Sequence, residues 1–209
     1  MYLSKLVLNP ASRRVRTESG RSYELHRTLM RAFPSAETGG SGRVLFRLDV
    51  DRETGAMTIL VQSTQEPDWA VLETAKDFLL EPPFCKRFAP VFRAGQVLRF
   101  RLRANPTVKR QGKRFGLIKE EEQLAWLQQK GEAGGFEPIS VIVIPERFMS
   151  DKMTDSAGNK HDLTLNAIRF DGLLRVTDPA TFRCTLEQGI GSGKGFGFGL
   201  ISVAPAKRE

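Results

Sequence analysis

The order in which strand and helix signals follow one another constrains the fold of this chain more than any other feature of its sequence. In the first half, four segments are apolar or alternate between apolar and polar residues, as β-strands do. These segments lie at residues 2–8, 43–49, 57–63 and 97–104. Helices are predicted from Ser22, a good N-cap, to about residue 33, and again near Asp68. The predicted order is strand–helix–strand–strand–helix–strand.

The same order recurs in the second half of the chain. Strands are expected at residues 114–118, 138–145, 163–176 and 198–204. One helix is predicted over 120–130, because its first turn is acidic and Lys130 stands at its end, as the helix dipole favours. A second helix is predicted between the N-cap pair Asp178-Pro179 and a C-terminal Gly189.

Two such units predict an α+β protein built from tandem ferredoxin-like (RRM-like) βαββαβ domains. The N-terminal domain is expected to cover residues 1–104, a basic linker 105–114, and the C-terminal domain 115–209. The two halves share no visible sequence repeat. A single mixed α+β domain therefore stays open as the alternative.

The charge balance indicates the class of partner. There are 32 Lys and Arg residues against 24 Asp and Glu, a net charge of +8, which favours nucleic acid first and an anionic membrane surface second. No apolar run approaches the roughly 20 residues that span a bilayer, and the N-terminus lacks a signal-peptide layout. The two cysteines, Cys85 and Cys184, suggest no disulfide framework. We expect a cytoplasmic protein that does not act at a membrane.

Metal chemistry has few candidate ligands. The two histidines and two cysteines show no metal-ligand spacing. No metal site and no cofactor are predicted, although a carboxylate-held Mg²⁺ stays open.

The first predicted helix has a polar face that could carry chemistry. At 3.6 residues per turn, an apolar set gathers on one side: Leu25, Leu29, Ala32 and Phe33. Tyr23, Arg27 and Met30 gather on the other side, with His26 and Arg31 at its margins. One face therefore offers a phenol, an imidazole and two guanidinium groups.

That set of groups suits the cleavage of RNA. A ribose 2′-OH must lose a proton to attack the adjacent phosphorus, and the 5′-oxygen must gain one to leave. Histidine titrates near neutrality and can perform either transfer, while arginines can stabilise phosphate oxygens. The alternative for a single histidine on a basic helix is an ordinary surface residue, and from the residues alone that alternative is the commoner one.

A glycine-rich segment, residues 189–200, reads Gly-Ile-Gly-Ser-Gly-Lys-Gly-Phe-Gly-Phe-Gly-Leu. A Walker A loop fails because Gly193-Lys194 is followed by Gly195 and a strand rather than by Ser or Thr and a helix. No register gives GxGxxG either. Exposed backbone N–H groups between glycines can contact phosphates, and Lys194 adds a positive charge. The alternative is a flexible tight connection.

Several motifs together resemble one known family. Gly189-Ile190-Gly191, then five residues, then Gly197-Phe198-Gly199-Leu200 is similar to the glycine-rich signature of CRISPR repeat-processing ribonucleases. The start Met-Tyr-Leu-Ser-Lys-Leu-Val-Leu, the segment 23–29 (Tyr-Glu-Leu-His-Arg-Thr-Leu), the segment 100–106 (Phe-Arg-Leu-Arg-Ala-Asn-Pro) and Ala125-Trp126-Leu127 resemble CasE proteins, also called Cse3. The similarity covers nearly the whole chain.

The resemblance to the CasE family implies a fold, an activity and partners. It implies two ferredoxin-like domains and cleavage without a metal or cofactor. The substrate would be the stem-loop of CRISPR repeat RNA (pre-crRNA), cut at the 3′ base of the stem to leave 2′,3′-cyclic phosphate and 5′-OH ends. The enzyme would then remain on its product, the crRNA, with the other Cascade subunits.

The resemblance also implies catalytic roles for Tyr23 and His26, with Tyr23 as base and His26 as acid. Since an ordinary phenol is a poor base at neutral pH, orientation of the 2′-OH by Tyr23 is an equally good role.

RNA contacts are expected in four places. In the first half they are Arg13, Arg14, Arg27 and Arg31. In the basic segment, which a solvated linker explains equally well, they are Lys109, Arg110, Lys113 and Arg114. The family's basic hairpin, which contacts the major groove of the stem, matches residues 145–165, with Arg147, Lys152 and Lys160. In the glycine-rich segment they are Gly191, Gly193, Lys194 and Gly195.

The rival hypothesis is a subunit that binds an RNA hairpin without cutting it. The RRM-like fold supports this rival, because RRM domains bind RNA on sheet aromatics. However, the nearest RNP-like string, Lys194-Gly195-Phe196-Gly197-Phe198, lies within the glycine-rich segment.

Overall fold

The computed structural model describes residues 1–35, 39–51, 53–73, 77–154 and 160–206, with side chains described outside 73, 147–154 and 160–164. The chain divides into two compact units. The first unit is Met1–Ala89 together with Gly195–Gly197, and the second is Pro90–Lys194 together with Phe198–Glu209.

The first unit is an antiparallel four-stranded sheet with helices between its strands. Its strands are β1 (Tyr2–Leu8), β2 (Val44–Val50), β3 (Met57–Ser63) and β4 (Phe84–Arg87). Its helices are α1 (Arg13–Ser19), α2 (Ser22–Met30) and α3 (Ala70–Glu73). The strands lie in the order β2-β3-β1-β4.

The core of the first unit lies between α2 and its sheet. From α2, Leu25 and Leu29 are at most 1% exposed. They belong to one apolar cluster with Leu6, Phe46 and Ile59, which come from β1, β2 and β3. The helical spacing of the two leucines and the alternation of the strands therefore bury the predicted apolar side of the helix, and the opposite side of α2 is left for function.

The second unit repeats this topology. Its elements are β5 (Val97–Ala104), β6 (Thr107–Arg110), β7 (Lys113–Gly116), α4 (Glu120–Gly134), β8 (Phe136–Thr154), β9 (Lys160–Val176), α5 (Pro179–Gln188) and β10 (Ile201–Pro205). The main sheet has the order β10-β5-β9-β8, which is again last, first, third, second. The hairpin β6–β7 is inserted between the first strand and the first helix of this unit. The tandem ferredoxin-like fold predicted from the sequence is confirmed.

Local sequence signals explain the two helices of the second unit. Asp178 is the N-cap of α5 and accepts hydrogen bonds from the backbone N–H groups of Ala180 and Thr181, as predicted. Three glutamates occupy the first turn of α4, and Gly135 ends it with a left-handed φ of 75°.

The predicted domain boundary is wrong. Residues 97–104 do not close the first domain: β5 pairs with β9 and β10 and opens the second unit. The first sheet is closed instead by the short strand β4, whose four residues are all exposed and show no alternation. Residues 105–114 are not a linker, because they contain β6 and the first two residues of β7, which pair as a hairpin.

Near the N-terminus, the structure adds one helix to the predicted elements and changes the start of another. The basic segment 9–21 contains the helix α1, capped by the Ser12 side chain. Ser22 is the first residue of α2 rather than its cap. Arg21 is the N-cap and makes no capping hydrogen bond with its side chain. Within the described residues, no helix is long and apolar enough to span a membrane.

Candidate active site

The polar side of α2 carries the candidate catalytic residues. Tyr23 and His26 are partly buried, while Arg27 and Arg31 are exposed. The ring centroids of Tyr23 and His26 are 6.3 Å apart. The structure therefore brings the phenol and the imidazole together one helical turn apart, with two arginines on the water-exposed part of the same helix.

The imidazole of His26 is held by packing. It stacks on the buried ring of Phe46, with 5.9 Å between centroids. On another side it meets Gly195, where an added Cβ would lie 3.6 Å from Cδ2 and 3.7 Å from Nε2 of the imidazole. The glycine segment and the helix thus meet at His26, within the first unit.

The two nitrogens of His26 differ in their surroundings. Nδ1 is buried and has no hydrogen-bond partner among the described residues. Burial lowers the pKa of His26 from its ordinary value of 6.5, because a desolvated site disfavours the imidazolium ion. The imidazole is therefore neutral at neutral pH, and Nε2 is the nitrogen left for a substrate proton.

Tyr23 is fixed by a second aromatic contact. Its ring stacks on Phe196 with 5.8 Å between centroids and 30° between planes. Phe196 is 7% exposed and ends a short 3-10 turn, Lys194–Phe196. Gly197 follows with φ of 80°, and an added Cβ there would lie 3.2 Å from Phe46. Glycine is therefore required at position 197, because the backbone is left-handed there and approaches the Phe46 ring closely.

The remaining glycine-segment residues lie in the second unit. Gly191 and Gly193 have φ near 80°. They line a cleft of about 560 Å³ together with Lys194 and the hairpin cations Lys109 and Arg114. We call it the basic cleft; Thr107, Trp126, Lys130 and Ser192 complete its lining. Arg110 and Lys113, the other two hairpin cations, are exposed but do not line it.

The candidate arginines of the first unit differ from one another. Arg13 is exposed on α1. Arg14 donates hydrogen bonds to Glu18 and to the hydroxyl of Thr28, and its guanidinium lies 5.0 Å from the ring centroid of Phe78. These contacts connect α1 to α2 and give Arg14 a structural role. Its role as an RNA ligand stays a prediction.

Two further arginines make internal ion pairs. Arg27 pairs with Glu24 at 3.3 Å on the exposed face of α2. In the second sheet, Arg101 makes a bidentate pair with Asp171. Its charge is therefore already compensated within the sheet.

The hairpin expected at residues 145–165 has the predicted backbone shape. β8 and β9 pair from Phe136↔Val176 as far as Thr154↔Lys160, which makes a long two-stranded arm. Residues 155–159 and the side chains of Arg147, Lys152 and Lys160 lie outside the described residues.

Sequence reasoning missed three residues that the structure places at these sites. Phe46 and Phe196 cover the two candidate catalytic rings, and Lys130 lines the basic cleft. Phe196 stands between two glycines in the sequence, and an aromatic residue in such a position indicates a specific packing partner. Nothing in the sequence indicated that Phe46 lies at the site, because the pattern of its strand already accounts for its burial. Within the described chain, no group of three or more His, Cys, Asp or Glu side chains is placed to hold a metal ion.

Comparison with known proteins identifies the family. The family described as CRISPR associated protein matches residues 1–205. CRISPR-associated endoribonuclease Cse3 of Thermus thermophilus is 41% identical over 216 residues, covering 98% of this chain and 100% of that protein. CRISPR system Cascade subunit CasE of Escherichia coli is 31% identical over 219 residues, covering 98% of this chain and 100% of that protein.

A solved structure agrees with the sequence comparison. Thermus thermophilus Cse3 bound to an RNA representing a pre-cleavage complex matches with a TM-score of 0.82 at 39% identity, covering 98% of both chains. The chain belongs to the CasE (Cse3) family of CRISPR-associated proteins. The resemblance drawn from the motifs is confirmed.

Proposed function

We propose that this chain is an endoribonuclease that binds the stem-loop of CRISPR repeat RNA and cuts at the 3′ base of the stem. The observation that carries this proposal is the pairing of a neutral, partly buried His26 with Tyr23 on one helix, against Gly195. The name of its Thermus thermophilus relative, an endoribonuclease, supports the same activity.

The proposed reaction is a transesterification within the RNA. The 2′-oxygen forms a bond to the adjacent phosphorus, and the bond from phosphorus to the 5′-oxygen breaks. The resemblance implied His26 as the acid, but burial lowers its pKa and favours the neutral imidazole, so we assign it as the base instead. His26 Nε2 accepts the proton of the 2′-OH, and the leaving 5′-oxygen takes a proton from water. The products carry a 2′,3′-cyclic phosphate and a 5′-OH. Such proton transfer is worth about 10²–10⁴-fold in rate.

The other polar groups of α2 have supporting roles in this reaction. The Tyr23 hydroxyl orients the 2′-OH, because a phenol with an ordinary pKa of about 10 is a weak base at neutral pH. Arg31 stabilises the additional negative charge of the phosphorane, and Arg27 joins it when the phosphate displaces its exposed ion pair with Glu24. No metal ion or cofactor takes part in any of these steps.

The proposal includes what happens after cleavage. The chain keeps its crRNA product and joins the other Cascade subunits, as the name of its Escherichia coli relative, a Cascade subunit, supports. The cytoplasmic location predicted from the sequence is part of this proposal.

The deciding experiment incubates end-labelled repeat RNA of the host with excess protein in EDTA and analyses the product ends. We expect one cut and a 2′,3′-cyclic phosphate. His26→Ala is expected to slow cleavage by about 10²–10⁴-fold with binding kept. His161→Ala, the same substitution at the other histidine, is the matched control for the cleavage rate at saturating protein; residue 161 lies in the segment expected to contact RNA, so its affinity is not compared. RNA that is bound at saturation but stays intact would favour the non-catalytic RNA-binding subunit.

A further inference from the structure

Three segments of the second unit contribute cations to the basic cleft. Lys109 and Arg114 come from the β6–β7 hairpin, Lys130 from the last turns of α4, and Lys194 from the glycine-rich segment. None of the described residues that line the cleft is acidic. Four positive charges therefore share a space of about 560 Å³ without a carboxylate in its walls.

The hairpin places like charges directly opposite each other. Lys109 pairs with Arg114 across the two strands, and Arg110 pairs with Lys113. Directly opposed like charges destabilise a strand pair, and a hairpin of two short strands has little stability to spare. An anion that lies beside Lys109 and Arg114 in the cleft would reduce the repulsion between them.

Close packing fixes the other wall of the cleft. Trp126 of α4 is 7% exposed, and a Cβ added to Gly191 would lie 3.1 Å from its ring. Lys130 lies one turn further along α4, with its ammonium 5.9 Å from the centroid of the Trp126 ring. The helix and the glycine-rich segment thus approach each other at Trp126, which sets Lys130 on the cleft wall.

We infer that the basic cleft binds phosphates of the RNA backbone, and that Lys130 is one of the residues that hold them. The cations of the cleft come from three separate segments, and a nucleic-acid strand supplies several phosphates in sequence to contact them. Three of the four cations are lysines, which act as point charges without the geometric preference of a guanidinium fork. The contact is therefore independent of base sequence.

This inference rests on the proposed function, because it assumes that the RNA in the cleft is the repeat RNA. Lys194 directly precedes Gly195, the residue against His26. One peptide bond therefore joins a residue of the basic cleft to the residue that contacts His26, so both sites include part of the glycine-rich segment. In this inference Lys130 binds the substrate, and it has no part in proton transfer.

The experiment uses the full chain and host repeat RNA with a 2′-deoxyribose at the cleavage position, so that binding is measured without cutting. Affinity is measured over a salt series for the unchanged protein and for Lys130→Gln and Lys109→Gln. Each variant should bind about three- to tenfold more weakly and lower the slope of log K against log salt by about 0.7–0.9, the value of one phosphate contact. Lys130→Arg should restore both quantities.

Two controls separate this contact from other effects. Lys119→Gln removes the same charge at the start of α4, away from the cleft lining, and should change neither affinity nor slope by a comparable amount. With cleavable RNA, Lys130→Gln should need a higher protein concentration to reach half of its maximal cleavage rate, and the position of the cut should be the same as in the unchanged protein.

Specific outcomes overturn the inference. Unchanged affinity and slope in Lys130→Gln and Lys109→Gln would do so, and so would competition by millimolar inorganic phosphate as effective as that by RNA, which would indicate a small-anion site. If the unchanged protein binds the repeat RNA but never cuts it, the proposed function fails while the cleft inference can still hold.

Discussion

The imidazole of His26 lies nearly parallel to the ring of Phe46, with 12° between the two planes. Phe46 comes from β2 and is 1% exposed, so the stacking partner is part of the core. Since Nδ1 of His26 has no hydrogen-bond partner among the described residues, this contact and that with Gly195 orient the ring in place of a hydrogen bond. The position of the candidate catalytic nitrogen is therefore set by aromatic packing.

Phe46→Leu tests that packing role. Leucine keeps most of the buried apolar volume, so the free energy of unfolding should fall by about 1–2 kcal/mol, but the flat support for the imidazole is lost. We expect the single-turnover cleavage rate to fall by about tenfold or more, with RNA affinity unchanged. Phe33→Leu is the matched control, because Phe33 is also a buried aromatic of the same unit but packs on Trp69. Equal loss of cleavage in both variants would refute the orientation role of Phe46.

Tyr23→Phe separates the hydroxyl of Tyr23 from its ring. The variant keeps the stacking on Phe196, so it should be fully folded at the assay temperature. If the hydroxyl orients the 2′-OH, the cleavage rate at saturating protein should fall by about 10–10²-fold. Tyr23→Leu removes the stacking as well and should cost more. A Tyr23→Phe variant that cuts at the original rate would leave Tyr23 no chemical role.

The pH dependence of cleavage follows from the lowered pKa of His26. Burial disfavours the imidazolium form, so the pKa lies below the ordinary 6.5. If neutral His26 accepts the 2′-OH proton, the rate at limiting protein should rise with pH through this lowered pKa and be constant from pH 6.5 to 8. A rate that falls steadily over pH 6.5–8 would mean that His26 acts as the acid.

The same shift predicts a stability effect with a definite sign. A group whose folded pKa is below its unfolded value binds more protons when unfolded, so stability declines as pH falls. The free energy of unfolding should therefore be independent of His26 protonation above about pH 6.5. It should decrease as the pH falls from there to the folded pKa of His26. Urea unfolding of the unchanged protein and His26→Gln between pH 5 and 7.5 measures it. The variant should show a smaller decline, and identical declines would contradict the burial explanation.

The sequence predicted the tandem fold but misassigned one strand. Residues 97–104 alternate strictly, so the strand itself was predictable. Alternation does not report a strand's partner, and β5 pairs with β9 and β10. β4 was missed because both of its faces are exposed. The sequence analysis therefore recovered the ferredoxin-like order of elements, but it counted β5, the first strand of the second unit, as the last strand of the first unit.

The candidate site was partly predictable for a similar reason. Helical periodicity places Tyr23 and His26 on one face from local spacing alone. The partners that fix them, Phe46 and Phe196, are 20 and more residues away, and their contacts depend on tertiary packing. Lys130 looked like an ordinary helix-terminal lysine for the same reason, since its cleft is formed by three separate segments.

Gly195 and Gly197 provide a matched pair for the last prediction. A Cβ at Gly195 would meet the His26 ring at 3.6 Å, an ordinary contact, and no left-handed φ opposes it. Gly195→Ala should therefore leave the melting temperature unchanged. Its methyl group would lie 3.7 Å from Nε2 of His26 and occupy space that the ribose needs, so we expect cleavage to fall by about tenfold or more.

Gly197→Ala should give the opposite pattern. Gly197 has φ of 80°, and its added Cβ would lie 3.2 Å from the buried ring of Phe46. The left-handed backbone alone costs an alanine about 1–2 kcal/mol, so the melting temperature should fall by several degrees. At a temperature where the variant is fully folded, cleavage should fall less than in Gly195→Ala, because the added methyl group faces Phe46 and not Nε2. If instead Gly195→Ala loses stability and cuts normally, the glycine serves folding and does not keep space for the substrate.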